Sequence, residues 1–153
     1  VLDYLNMVNE QNHQISVKLS AKIDKTAQAV ERLQDENFRL KGQVNQFVDD
    51  MCRKEAERYA GSGSVLLFVD GMDNDGVRKL ADAVTQTCQG CCAVFSKNPD
   101  GSYKYAMGEK DGDLRQFTKE MNAKLNGRGG GKPFFVQGSV QASEKEIRNF
   151  FEQ

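Results

Sequence analysis

The residues with the clearest chemical potential lie in one glycine-rich stretch, GRGGGKPFFVQGSV, which spans residues 127–140. Arg128 and Lys132 flank three consecutive glycines in it. Consecutive glycines cost backbone entropy, so folded proteins use them where the chain turns tightly or approaches another group closely. Backbone amides without side chains, flanked by two cations, suit an anion such as a phosphate. We therefore predict an anion-binding glycine loop, and the alternative is a flexible loop tip without a ligand.

The spacing of this stretch excludes a nucleotide-binding P-loop. That motif requires Gly-x-x-x-x-Gly-Lys followed by Ser or Thr, whose hydroxyl binds magnesium. The segment from Gly127 to Lys132 has the wrong length, and Pro133 replaces the hydroxyl residue.

No other set of residues predicts catalysis or a metal site in this chain. Cys88 and Cys91 have Cys-x-x-Cys spacing, but no second pair accompanies them and the sole histidine, His13, is far away in sequence. A structural zinc site needs four ligands, and a serine-protease-like triad needs a nearby histidine. We expect the cysteines to be free thiols, which suits a reducing cytoplasm. The chain is thus predicted to be a binding and assembly module without a cofactor of its own.

Composition indicates one ordinary domain with an appendage. The chain has 153 residues, of which 39% are hydrophobic and 28% charged, with a net charge of -1. Nucleic-acid contact must therefore come from a local basic patch and not from the overall charge. No apolar run approaches the ~20 residues of a membrane span, so we expect no membrane partner. Because the first residue is Val1, we expect upstream sequence that holds part of the function.

Residues 1–60 are predicted to form a helical hairpin or coiled-coil arm. Apolar residues at three-and-four spacing indicate a helix from residue 1 to about 20 and a longer one from residue 26 to about 59. The longer helix carries an unbroken heptad ladder, and Asn37 at an a position is typical of a register-setting residue in two-stranded coiled coils. The ladder could pack on the first helix or form a homodimer, and its narrow seam favours the dimer. The predicted dimer seam consists of Val30, Leu33, Asn37, Leu40, Val44, Phe47 and Met51.

Residues 64–153 are predicted to form an α/β domain with a mixed sheet, separated from the arm by the linker at residues 60–64. Alternating strand and helix patterns give the order β-α-β-β-α-β-α, with a hairpin around the turn at residues 98–101. Asp113 is predicted to begin the second domain helix and Gly127 to end it. The last strand is predicted at residues 133–137, and Ser143 with Glu146 matches a capping box for the last helix.

The glycine stretch resembles the motif of the DHH-associated domain, which closes alanyl-tRNA synthetases and long free-standing alanyl-tRNA editing proteins. The arm segment ISVKLSAKIDKTAQAVERLQDENFRLK is similar to the segment that precedes this domain in those proteins. The residues that match the glycine motif are Gly127, Gly129, Gly130, Gly131, Lys132, Pro133, Gln137 and Gly138.

The resemblance implies a dimerising helical part and a globular part that contacts tRNA, with tRNA(Ala) the expected partner. It also implies that catalysis lies upstream, where a zinc-dependent editing domain would deacylate mischarged tRNA, or where an aminoacylation domain would make this chain part of an alanine–tRNA ligase. Residues 1–153 have no counterpart of the zinc ligands. The expected nucleic-acid-binding residues are Arg128, Gly129, Gly130, Gly131, Lys132, Gln137 and Gly138.

Two other functions remain open at this point. DHH phosphodiesterases carry a related domain that holds the substrate nucleotide for a metal-bearing domain, so the chain could be such a substrate-binding domain. The chain could also be a dimerisation module whose globular part binds nothing.

Overall fold

The computed structural model describes residues 1–153, which form five helices, one short 3-10 turn and a five-stranded sheet. The helices are α1 (Leu2–Leu19), α2 (Thr26–Arg58), α3 (Asn74–Thr85), α4 (Arg115–Lys124) and α5 (Glu144–Phe151), with the 3-10 turn at Ile23–Lys25. The strands are β1 (Val65–Val69), β2 (Cys92–Lys97), β3 (Tyr103–Gly108), β4 (Gly127–Lys132) and β5 (Phe135–Val140). None of the helices combines the length and apolarity that crossing a bilayer requires.

The chain divides into two compact units, residues 1–46 and residues 47–153. The first unit contains α1, which ends at Ser20 in a left-handed conformation, and the first part of α2. No residue of α1 is buried. The last turns of α2 belong to the second unit.

The second unit is built on a mixed sheet of order β1-β2-β3-β5-β4, which confirms the predicted fold class. β1 pairs with β2 in parallel, and α3 connects the two strands. The pairs β2–β3, β3–β5 and β4–β5 are antiparallel, so the predicted hairpin of β2 and β3 is present. β1 and β4 are consequently the two edge strands.

Hydrophobic side chains pack on both faces of the central strands, because residues alternate between the two faces along each strand. On one face Val94 and Ala106 pack with Leu80 of α3 and with Cys52 of α2. On the other face Phe95 and Met107 pack with residues of α4 and α5, including the buried Met121 and Ile147. We call these the α3 face and the α4 face.

Helix caps follow the sequence closely at two positions. The Asp73 carboxylate accepts a hydrogen bond from the backbone N–H of Gly76 at 2.8 Å and begins α3. Ser143 and Glu146 form the predicted capping box of α5. The capping box depends on neighbours within three residues, which is why the sequence is sufficient to predict it.

The glycine stretch differs from the prediction: residues 127–132 are strand β4 and not a loop. The turn lies at residues 133–134, and the following strand extends from Phe135 to Val140. Pairing with β5 over the whole length of β4 compensates for the entropy that glycines lose in a strand. The left-handed residue after α4 is Asn126 and not Gly127. α4 begins at Arg115, whose backbone N–H donates to the carboxylate of Asp113.

Candidate functional site

Strand β4 distributes its side chains between the two faces of the sheet. Arg128, Gly130 and Lys132 lie opposite Ser139, Gln137 and Phe135 of β5 and share the α3 face with them. Gly129 and Gly131 lie on the α4 face, opposite Gly138 and Val136. The two predicted cations and the predicted amide side chain are therefore on one side of one hairpin.

An open groove lies on the α3 face at this hairpin, and we call it the α3-side groove. α3 packs on β2 and β3, which leaves the polar face of β5 and β4 uncovered beside the N-terminus of the helix. The volume of the groove is about 590 Å³, within the usual range of ligand pockets. It is lined by Asp73, Asn74, Val77, Asn98, Lys104, Tyr105, Arg128, Gly129, Gln137, Gly138 and Ser139.

The α3-side groove carries two cations and one helix N-terminus. Arg128 takes part in no salt bridge, so its guanidinium is free to meet an anion. Lys104 donates from Nζ to the carbonyl oxygen of Met72 at 2.7 Å, which holds its ammonium beside the groove. The first turn of α3 adds free backbone N–H groups with partial positive charge. The only carboxylate in the lining, Asp73, is engaged as the cap of that turn.

Gly129 and Gly138 form a cross-strand pair against a buried tyrosine. A methyl group at Gly129 would lie 2.6 Å from the Tyr105 hydroxyl oxygen, and one at Gly138 would lie 2.8 Å from it. The Tyr105 hydroxyl donates to Oδ1 of Asn122 at 3.2 Å, and Asn122 donates from Nδ2 to the carbonyl oxygen of Gly129 at 3.4 Å. Burial raises the pKa of Tyr105, so its hydroxyl remains a donor at neutral pH. These two glycines are thus required for packing of the hairpin.

A second groove follows the other side of β4, and we call it the α4-side groove. Its volume is about 440 Å³, and Gly129, Gly130 and Gly131 form its wall. Arg115 lies in it, but its guanidinium is paired with Asp113 at 2.6 Å, and this contact lowers the pKa of Asp113 to about 2. No atom lies within 4 Å of a methyl group placed at Gly130, so this glycine is not required for packing.

The structure brings together four of the seven predicted nucleic-acid-binding residues in the α3-side groove, namely Arg128, Gly129, Gln137 and Gly138. Gly130 and Gly131 line the α4-side groove. Lys132 lines neither groove, and its ammonium lies 5.8 Å from the centre of the Phe134 ring.

Lys104 and Asn98 also lie in the groove beside Arg128, although neither was among the residues predicted to bind. The sequence contains one pattern that predicts where the side chain of Lys104 lies. It lies between Tyr103 and Tyr105 in an otherwise apolar strand, so alternation sends this charge to the face opposite the two tyrosines. No comparable signal exists for Asn98, which follows β2 in a turn.

Most of the predicted dimer seam is exposed in the structure. Asn37 and the apolar residues of the ladder before Met51 present their side chains to solvent, with Phe47 75% exposed. Met51 is different, because it packs with Val48 against the core of the second unit. The exposed apolar members are Val30, Leu33, Leu40, Val44 and Phe47.

The cysteines are all free thiols, and three of them are buried. Cys91 is half-buried, and burial together with the charge of Glu109 raises its pKa to about 12. No group of three or more histidine, cysteine or acidic side chains is arranged to hold a metal ion.

Comparison with known proteins relates this geometry to one family. A family model described as the DHHA1 domain matches residues 61–153, more than half of the chain. The alanine–tRNA ligase of Psychrobacter sp. (strain PRwf-1) is 23% identical over 156 residues, which cover 94% of this chain and 17% of that ligase. The chain therefore spans only a small part of the length of that relative.

Two solved structures share the fold. The C-Ala domain of alanyl-tRNA synthetase from Aquifex aeolicus is 18% identical with a TM-score of 0.51, over 61% of this chain and 92% of that domain. RecJ in complex with Mg²⁺ from Thermus thermophilus is 15% identical with a TM-score of 0.57, over 91% of this chain and 21% of that protein.

Proposed function

Because the chain belongs to the DHHA1 domain family, we propose that it is the tRNA-binding and dimerisation module of an alanyl-tRNA synthetase or an alanyl-tRNA editing protein. In this proposal the chain holds tRNA(Ala), and another domain supplies aminoacylation or the deacylation of mischarged tRNA. The similarity to an alanine–tRNA ligase over nearly the whole chain supports the choice of tRNA(Ala) as the partner.

The observation that carries the proposal is the unpaired Arg128 on an uncovered polar sheet face, next to Lys104 and Gln137. A phosphate in the α3-side groove meets the free guanidinium of Arg128 and the ammonium of Lys104, which its hydrogen bond to Met72 holds in place. Gln137 contributes an amide that can hydrogen-bond to a ribose or base. The free N–H groups at the start of α3 provide further donors for the same anion.

The test is tRNA binding by the full chain after removal of single positive charges. Arg128→Ala removes the free guanidinium, and we expect a lower affinity for tRNA(Ala) together with a salt slope that is smaller by about one unit per lost phosphate contact. Lys132→Ala is expected to have a smaller effect, because Lys132 lines neither groove. Binding is measured by gel shift or filter binding over a series of salt concentrations.

A matched control is Lys145→Ala, which removes one exposed lysine from α5 that lines neither groove beside β4. If Arg128→Ala and Lys145→Ala change affinity and salt slope equally, the tRNA does not bind in the α3-side groove and the proposed site is wrong.

Dimerisation through α2 is the second part of the proposal. The exposed ladder gives a stripe of apolar side chains, with Leu33 and Leu40 at d positions and Asn37 at an a position. Such a stripe is stabilised when a second helix buries it. Leu40→Lys is expected to shift the protein toward monomer in sedimentation velocity, because it places a charge in the seam. Asn45→Lys, which adds the same charge outside the seam, is expected to leave association unchanged. If both variants shift the protein toward monomer equally, dimerisation does not occur through the predicted seam.

A substrate-binding domain of a DHH-type phosphodiesterase is the second candidate. It is favoured by the volume of the α3-side groove, which suits a single nucleotide. Calorimetric titration with adenosine monophosphate separates the two candidates. Saturable mononucleotide binding that is abolished by Arg128→Ala would favour the phosphodiesterase, whereas binding of tRNA alone favours the first proposal.

A further inference from the structure

The two edges of the sheet have opposite chemical character. Edge strand β4 carries Arg128 and Lys132, and charged side chains discourage pairing with another strand. Edge strand β1 has the sequence VLLFV, with no charge, no proline and no glycine. Exposed apolar edge strands aggregate, so proteins normally cover them or pair them.

Backbone groups along the outer side of β1 have no partner in the chain. Val65 donates its N–H to the carbonyl oxygen of Cys91, which establishes that Val65, Leu67 and Val69 bond toward β2 in the parallel ladder. The N–H and C=O groups of Leu66 and Phe68 therefore point away from β2, and no backbone hydrogen bond satisfies them. This edge can accept a further strand.

An apolar groove with an acidic lining lies beside the first half of β1, and we call it the β1 groove. Its volume is about 490 Å³. The half-buried side chains of Leu66, Phe117 and Phe151 form its apolar floor. No lysine or arginine lines it. The groove is lined by Ser64, Val65, Leu66, Cys91, Glu109, Asp113, Leu114, Phe117, Phe151 and Glu152.

Two of the three carboxylates in the β1 groove lack a counter-charge. Asp113 is paired with Arg115 at 2.6 Å. Glu109 and Glu152 take part in no salt bridge. Glu109 also lies close enough to Cys91 in the groove wall to raise, after burial, the pKa of that thiol.

We propose that the free edge of β1 and the β1 groove bind an extended peptide segment of a partner protein that presents apolar and basic residues together on one side of the strand, at every second position. The segment pairs with the outer N–H and C=O groups of Leu66 and Phe68 as a sixth strand. Strand addition of this kind derives affinity from main-chain hydrogen bonds and specificity from pockets for alternate side chains. Side chains at every second position of a strand lie on the same side, so apolar residues of the segment enter the β1 groove while a lysine or arginine two positions away meets Glu109 or Glu152.

Side-chain chemistry distinguishes this occupant from a second copy of the chain. The β1 strand of a second copy carries no cation that could meet Glu109 or Glu152. The other edge strand of a second copy, β4, has Arg128 and Lys132 but no apolar side chain that could enter the β1 groove. An extended basic segment both hydrogen-bonds to the free backbone groups of β1 and supplies a counter-charge for the carboxylates. The docking surface is separate from the α3-side groove, since β1 and β4 are at opposite edges of the sheet.

The experiment uses the full chain and an acetylated, amidated Lys-Thr-Val-Thr-Val-Thr-Lys peptide with a fluorescent label, whose lysines and valines lie on the same side of a strand. In hydrogen-exchange measurements we expect the peptide to slow exchange of the amides of Leu66 and Phe68 more than any other amides of the sheet. In anisotropy titrations, the double variant Glu109→Gln/Glu152→Gln is expected to bind about fivefold more weakly, since two partly exposed ion pairs are lost. The matched control Glu10→Gln/Glu31→Gln, with two exposed carboxylates removed from the first unit, is expected to bind like the wild type.

Three results would overturn the proposal. Equal binding by a peptide whose backbone is N-methylated at alternate residues would mean that no strand is added. Equal loss in both double variants would mean that the peptide responds only to the overall charge of the protein. Protection of Leu66 and Phe68 that increases with protein concentration in the absence of peptide would assign the edge to a second copy.

Discussion

Replacing Gly129 with alanine tests whether the glycines of β4 are there for packing or for a ligand. Gly129 has a φ of +149°, which side-chain-bearing residues rarely adopt. A methyl group there would also lie 2.6 Å from Cα of Gly138, well inside the 3.5–4.0 Å at which carbon atoms normally contact. By contrast, a methyl group at Gly130 would touch nothing, and its φ is not positive.

The two substitutions differ in expected magnitude. Overpacking a close contact destabilises by about 1–3 kcal/mol, and the unfavourable φ adds about 1 kcal/mol, so Gly129→Ala is expected to lower the free energy of unfolding by about 2–4 kcal/mol. Gly130→Ala is expected to leave it unchanged or raise it by about 0.5 kcal/mol, because alanine restricts the unfolded chain more than glycine.

Urea denaturation followed by near-ultraviolet circular dichroism is a suitable assay, since the buried Tyr103 and Tyr105 give a signal from the sheet. Gly129→Ala within about 0.5 kcal/mol of the wild type, or equal destabilisation by both variants, would refute this account of the pair. If tRNA requires close approach to the backbone of β4, Gly130→Ala weakens tRNA binding without destabilising the fold. That combination of results is expected of a glycine that is required for close approach of a ligand and not for packing.

Three further predictions concern the core, a helix cap and a thiol. Leu80→Ala removes a fully buried side chain and is expected to destabilise the protein by about 2–5 kcal/mol in urea denaturation. Ser143→Ala removes both hydroxyl contacts of the capping box and is expected to destabilise by about 1 kcal/mol in the same assay. Cys91 has its pKa raised to about 12, first by burial and then by the charge of Glu109, so its thiolate fraction at pH 8 is about 10⁻⁴. Alkylation by iodoacetamide, followed by mass spectrometry, is expected to accelerate about tenfold per pH unit up to about pH 10 without a plateau.

For each of these three predictions, one result would contradict the reasoning. A loss below about 1 kcal/mol in Leu80→Ala would mean that the α3 face is loosely packed. A Ser143→Thr variant retains the capping hydroxyl, so it should recover most of the loss; failure to do so would assign the effect to packing. A plateau in Cys91 alkylation near about pH 9 would mean that the thiol is not shielded from water.

Local patterns in the sequence account for much of the fold. The heptad periodicity of α2, the Ser143 cap and the turn between β2 and β3 depend on residues a few positions apart. Such features are encoded by propensity and short-range hydrogen bonds, so the alternation of strands and helices follows from them. The glycine motif likewise indicated the family from its residue types alone.

Strand pairing in the tertiary structure determines that the glycine motif is a strand, and it determines which residues lie beside the motif. Taken locally, three successive glycines favour a loop, yet β5 supplies a partner along their whole length and makes them an edge strand. The same pairing places Arg128 beside Lys104, which is 24 positions earlier in the chain, through the adjacency of β3, β5 and β4. Strand order and register depend on long-range contacts that no local pattern contains, so the groove and the unprotected edge of β1 became visible only in the folded sheet.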